Sequence, residues 1–168
     1  MLFRSELKDF LNEKVLQYNT LDFIESDPVQ IPHLYTQKED IEIAGFLSAT
    51  IAWGNRKMII KNSIKMMDLM GNSPYDFVLS HSDSHLERLN TFVHRTFNGQ
   101  DFQSFIKGLQ HVYNNHGGLE SVFAKHQEAT SVQKSIHEFK KAFFALYEFR
   151  CSSSSTNCAF SKILPNPK

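Results

Sequence analysis

The chain of 168 residues carries 18 Lys and Arg against 18 Asp and Glu, and 41% of it is hydrophobic, with 15 phenylalanines. That is one ordinary domain with enough apolar mass for a real core. It excludes a membrane-spanning helix, because the longest apolar stretch is broken by Ser48 and Thr50 and falls well short of the roughly 20 residues a span needs.

Arg4, Glu6, Lys8 and Asp9 interrupt any signal-peptide pattern, so the expected location is cytoplasmic. Cys151 and Cys158 sit in a Ser/Asn-rich tail without the paired spacings of a disulfide framework or a zinc site. The zero net charge is unevenly spread. Residues 1–52 hold four basic and nine acidic side chains, residues 53–99 six and four, and residues 100–168 eight and five. One basic face would give this polarity, and so would ordinary solvated helices.

In chain order, Ser5 opens a first helix with Leu7, Phe10, Leu11 and Val15 on one face. A second apolar group, Leu21, Phe23 and Ile24, stops at "SDP" before Pro28, and "VQIPHLY" reads as an extended connector. Thr36 to Glu39, "TQKE", has capping-box form and starts a helix over about 37–53 that is apolar on most sides, the mark of a central helix. Gly54 then fits the residue after a helix end, and Asn55 caps the next helix. Its expected core face is Ile60, Ile64, Met67 and Met70, with Lys57, Lys61 and Lys65 opposite and Gly71 as its stop.

"NSPYD" places Ser73 as cap and Pro74 at the first position of a short helix to about Leu79. Asp83 opens another helix, with Leu86, Leu89 and Val93 inward. Asp101 caps a strongly amphipathic helix carrying Phe102, Phe105, Ile106, Leu109, Val112 and Tyr113, which ends at "NNHGG". Leu119 to Phe123 form a short helical turn; Val132, Ile136, Phe139, Phe143 and Leu146 mark a last long helix. No run alternates at period two for long enough to make a sheet.

No phosphate-binding glycine loop, G-x-S-x-G elbow or dinucleotide fingerprint occurs, and Cys151 has no positioned partner. No catalytic residues, cofactor or metal are therefore expected. His81 and His85, four apart, and His111 and His116, five apart, are separated by helix breaks and read as solvated side chains. Asp40 and Glu42 project in different directions and read as first-turn charges that complement the helix dipole.

Two donor-rich clusters remain. Asn55, Arg56 and Lys57 lie at a helix N-terminus, where cations are locally unfavourable and a bound phosphate would relieve them, with Lys61 one turn on. His94, Arg95 and Asn98 surround Phe97 in "VHRTFNGQD", the composition of a backbone-contacting loop. The competing reading is a solvated turn for the first cluster and a core anchor for Phe97.

The runs "DIEIAGFLSATIAWGNRKMIIKN", "NSPYDFV" and "FVHRTFNGQDF" resemble a bacterial family of uncharacterised proteins, a domain of unknown function, over about residues 20 to 123. "IAGFLSA", Ile43 to Ala49, and "NNHGGLESVF", Asn114 to Phe123, are more distantly similar to the start of the helix-hairpin-helix DNA glycosylase fold. The polar probe that such glycosylases carry after "LSA" does not transfer, because Thr50 is followed by Ile51 and Ala52. The L-P-G-x-G hairpin and the catalytic aspartate of that fold have no counterpart in these residues.

The resemblance thus implies an all-α fold, an irregular bundle of about six to seven helices, like the N-terminal part of that glycosylase fold and incomplete. Residues 1–150 are expected to form the helical domain, and residues 151–168 a disordered or aberrant tail left by a truncated or frame-shifted product. The expected partner is DNA, without base-excision activity. The alternative is a helical protein-interaction or structural module.

Overall fold

The computed structural model describes residues 2–125 and 132–151, with the side chains of residues 4–125 and 132–145. Nine α-helices and one minimal hairpin make up those residues, a predominantly helical fold with more helices than the six or seven expected. The first two, α1 (Leu2–Tyr18) and α2 (Leu21–Ser26), lead into two 3-10 turns at Pro28–Gln30 and Pro32–Leu34. "VQIPHLY" is therefore not extended throughout. Each proline starts a turn at the position where its missing N–H costs nothing, and the pair delivers Ile31 wholly into the core. On α1 the expected apolar face forms but stays exposed, with Leu7 at 45% and Phe10 at 53%.

The central helix α3 spans Lys38–Thr50, starting later and ending sooner than expected. Tyr35 is extended, so the chain enters through Gln37, which makes no side-chain cap; Thr36 forms no capping box. Ile43, Ala44, Leu47 and Ile51 of this segment are wholly buried. Next, α4 (Arg56–Leu69) is capped by Asn55, whose side chain accepts from the Met58 N–H at 3.3 Å. Its buried face is Ile59, Ser63, Met66 and Met67, continued by Met70. Ile64 is 40% exposed, so the face lies one residue round from the expected stripe. The three lysines still project opposite it.

In α5 (Pro74–Ser80), Ser73 makes no side-chain cap; Asp40, from α3, accepts the Tyr75 N–H at 2.8 Å instead. Helix α6 (Asp83–Arg88) opens at Asp83 as expected and is capped by a reciprocal box between Ser82 and His85. Leu86 and Leu89 point inward, but Val93 is 61% exposed. It stands on β1 (Val93–His94), paired antiparallel to β2 (Phe97–Asn98) with His94 opposite Phe97. This hairpin is the departure from the sheet-free expectation. With two residues a side it is too short to show an alternating pattern.

Helix α7 (Gly99–His116) is the other central element. Asn98, not Asp101, is its cap: the Asn98 side chain accepts from the N–H groups of Gln100 (2.8 Å) and Asp101 (3.2 Å). Asp101, three residues in, returns the bond to the Asn98 N–H at 3.0 Å. Phe102, Phe105, Ile106, Leu109 and Val112 are buried as their spacing dictates. Around α7 pack α5, α8 (Leu119–Ala124), α9 (Val132–Cys151) and the 3-10 turn Leu89–Thr91.

Aromatic contacts join these layers. Phe46 of α3 meets Phe105 of α7 (ring centroids 5.9 Å) and Phe139 and Phe143 of α9 (5.6 and 5.4 Å), while Phe97 of the hairpin meets Phe105 at 5.3 Å. Offset and edge-on pairs of this kind add about 0.5–1.5 kcal/mol each to what burial supplies. Gly108 makes the α7–α9 approach possible, since a Cβ there would lie 2.9 Å from the Phe143 ring. On α9, Phe143 is buried, but Val132 and Ile136 are 71% and 54% exposed, and the side chain of Leu146 lies outside the described residues. The tail expected over residues 151–168 falls outside them too, apart from Cys151, the last residue of α9.

Candidate nucleic-acid interface

The two donor-rich clusters lie far apart in sequence and meet in space, and His94 is what joins them. Its ring is only 4% exposed. Asn62 of α4 donates through Nδ2 to His94 Nδ1 at 2.7 Å, and His94 Nε2 reaches the Trp53 carbonyl oxygen at 3.4 Å. An amide N–H on one side and a carbonyl on the other are both satisfied by the neutral ring with its proton on Nε2. The Trp53 indole packs edge-on against the same imidazole, with centroids 5.4 Å apart. One buried side chain thus ties the hairpin to α4 and to the turn between α3 and α4.

A second tie runs from the hairpin tip. Arg95 takes a left-handed conformation (φ 54°), and its guanidinium lies over Gly54 (φ 113°). A Cβ on Gly54 would come within 2.5–2.8 Å of three guanidinium atoms, so only glycine leaves that seat open.

The seven expected site residues divide by what their polar atoms do. Asn55 and Asn98 cap α4 and α7, and His94 is a buried bridge. Arg56 turns away toward α2, pairing with Asp27 at 3.7 Å and lying 5.9 Å from the Phe23 ring centroid. Lys57, Lys61 and Arg95 are exposed, and none of them forms an ion pair among the described residues. Lys65 completes the row on α4; its ammonium donates to the Thr91 carbonyl at 3.2 Å and lies 5.8 Å from the Phe92 ring centroid, with no carboxylate on it. Phe97, the aromatic expected among the loop's donors, is wholly buried. The half-buried aromatic beside the basic row is Trp53.

A family model, Protein of unknown function (DUF2400), matches residues 27–168. The chain belongs to that family. The DUF2400 match leaves out α1 and α2, and it runs further toward the C-terminus than the stretch, about 20 to 123, that carries the resemblance in the sequence. It includes every residue of the basic face. Neither a curated protein nor a solved structure matches the chain.

Elsewhere in the DUF2400 domain the histidine pairs are structural. His81 Nδ1 lies within 3.1 Å of the Phe77 and Val78 carbonyls at the end of α5, and His85 closes the α6 cap. His111 and His116 pack edge-on at 5.3 Å; burial, aided by His111 and Lys125, holds His116 below the usual histidine value. No group of three His, Cys, Asp or Glu able to hold a metal occurs among the described residues, and no helix there is long and apolar enough to cross a membrane.

Sequence reasoning missed one polar assembly. Tyr113 of α7 donates to Glu42 of α3 at 2.7 Å, and Lys38 bridges Glu42 (3.8 Å) and Glu120 of α8. Burial first, then the Glu42 carboxylate, pushes the Tyr113 phenol well above its usual value. Glu42 is thus a tie between α3 and α7, just as Asp40 is a cap for α5. Partners 71 and 35 residues away along the chain leave no local signal of either role.

Proposed function

We propose that this domain binds the sugar–phosphate backbone of DNA through the face formed by Lys57, Lys61, Lys65 and Arg95. The observation that carries the reading is that Lys57, Lys61 and Lys65 line one side of α4 and the Arg95 guanidinium sits on Gly54 just before that helix, with no carboxylate partner on any of the four among the described residues. Lys57, Lys61 and Lys65 recur every four residues, so the row runs about 12 Å along α4, the length of three or four phosphates of one strand. Asn55, His94 and Asn98 hold the face in shape, and Arg56 flanks it through its tie to Asp27. The distant similarity of Ile43–Ala49 and Asn114–Phe123 to the start of the DNA glycosylase fold supports DNA as the polymer, handled in the bacterial cytoplasm without base excision.

Four phosphate contacts give a log–log salt slope of about −3.6 on duplex and about −2.8 on single strands, a loss of roughly 50- to 150-fold between 50 and 200 mM salt. Fluorescence anisotropy of a labelled oligonucleotide across that range tests it, and Lys61→Ala is expected to reduce the slope by about 0.7–0.9. Binding insensitive to salt, or Lys57→Ala and Lys61→Ala variants with an unchanged slope, overturns the reading.

A second reading, a module that docks another protein, is favoured by α1. There Leu7, Phe10, Leu11 and Val15 lie on one face and are 45–55% exposed, an apolar stripe that a partner could cover. Partner binding that survives high salt would carry it.

A further inference from the structure

A row of cations accepts any polyanion. What this row has beside it narrows the ligand. Trp53, the sole tryptophan of the chain, sits at the open end of α3, half-buried, with its ring fixed edge-on against His94 at 5.4 Å and its carbonyl held by the same imidazole. One residue on, Gly54 has no side chain, and the planar guanidinium of Arg95 occupies the space a Cβ would fill. The next residues, Asn55 to Lys57, open α4, and Lys61 stands beside Asn62, the other partner of His94. A half-buried indole that packs partly against the core and a guanidinium seated on the next residue, Gly54, thus stand at neighbouring positions of one turn, at the head of a lysine row.

Both groups are flat and polarisable, and both stack on the faces of nucleobases. Inside a duplex those faces are covered by neighbouring base pairs, and only edges show in the grooves. Planar groups lying on a protein surface reach a base face only when the base is unpaired, and a positive track with aromatic side chains beside it is how unpaired strands are held.

We infer that the Trp53–Arg95 pair is a stacking platform for unpaired nucleotides, so that the basic face prefers single-stranded nucleic acid, or the unpaired bases of a junction or bulge, over intact duplex. The inference rests on the backbone-binding reading and assigns a ligand class to it. Lys57, Lys61 and Lys65 hold consecutive phosphates, and the bases at the Trp53 end turn inward onto the indole and guanidinium. His94 acts as a positioning residue, holding the indole edge-on against its own ring and fixing the angle it presents.

The sole tryptophan makes the test direct. The intact chain is titrated with a 12-nucleotide oligothymidine and with a duplex of the same length at 50 mM salt, following anisotropy of the labelled oligonucleotide and Trp53 emission together. The expected result is at least fivefold tighter binding of the single strand, with Trp53 emission quenched along the same isotherm. Arg95→Lys keeps the charge and loses the plane, so it is expected to weaken single-strand binding by a clearly larger factor than duplex binding, and equal factors on both count against the platform. Trp53→Leu, shown folded by circular dichroism, is expected to lose about tenfold on the single strand alone. If both ligands bind equally, or the duplex binds tighter, and Trp53 emission does not move, the platform is refuted and the backbone reading stands. If neither ligand binds at 50 mM salt, the backbone reading fails and takes the platform with it.

Discussion

Replacing Gly54 by alanine separates the backbone from the guanidinium seated on it. At φ 113° a non-glycine residue lies outside even the left-handed helical region, where strain of this kind costs of order 1–3 kcal/mol. The new Cβ would also sit 2.5–2.8 Å from Nη2, Nε and Cζ of Arg95. That second conflict is cheap to relieve, because Arg95 is exposed and its far end can swing into solvent. Gly54→Ala is therefore expected to cost about 1–3 kcal/mol in urea-induced unfolding, nearly all of it backbone strain. Arg95→Ala should stay within about 0.5 kcal/mol of the parent, as surface changes usually do. In the double variant the clash is gone and the strain is not, so its stability should match Gly54→Ala alone. Binding behaves differently: Gly54→Ala and Arg95→Ala should both weaken nucleic-acid binding, since either removes the guanidinium from its seat. A Gly54→Ala protein within 0.5 kcal/mol of the parent would show that the turn does not hold this conformation. A double variant clearly more stable than Gly54→Ala would show that the guanidinium, not the backbone, is the constraint.

Asp40→Ala is expected to cost about 1 kcal/mol by leaving the Tyr75 N–H at the start of α5 without its acceptor, whereas Ser73→Ala should be nearly silent; equal losses in urea titration would refute that division of labour. Because burial and Glu42 raise the Tyr113 phenol, the folded chain keeps a proton that the unfolded chain releases above its ordinary value of 10.0. Stability should thus fall as pH rises past about 10 and owe this phenol no pH dependence below. The difference between the parent and Tyr113→Phe in urea midpoint, followed from pH 8 to 11, isolates this group, and parallel curves would contradict it.

Helices were legible wherever a single stripe decides burial. The spacing of Phe102, Phe105, Ile106, Leu109 and Val112 identifies α7, and the same five side chains are buried. Where polarity and packing disagree, the pattern misleads. On α4 the buried line passes through Ser63, a residue that counts as polar, so the stripe through Ile60 and Ile64 looks better in sequence and is wrong by one position. Caps fail for a different reason. Asn98 and Asp101 can each cap α7, and in the reciprocal box both contribute, in the order that the extended backbone at Asn98 decides. The basic clusters were visible as composition, but their union was not. His94 finds Asn62 and Trp53 at 32 and 41 residues' separation, and nothing local marks a histidine as the bolt between two segments.

That bolt has a consequence for how tightly the face can hold anything. Ligand sites on loops lose affinity because the chain must be ordered at the moment of contact, at about 0.5–1.5 kcal/mol for each rotamer-rich side chain immobilised. Here the turn at Trp53 and Gly54, α4 and the hairpin are tied to one another by a buried imidazole before any ligand arrives. The lysine ends and the Arg95 side chain are left to settle. Preorganisation of this kind appears in kinetics as slow release with an ordinary rate of arrival. Loosening His94 should therefore shorten the lifetime of the complex well before it changes how often one forms.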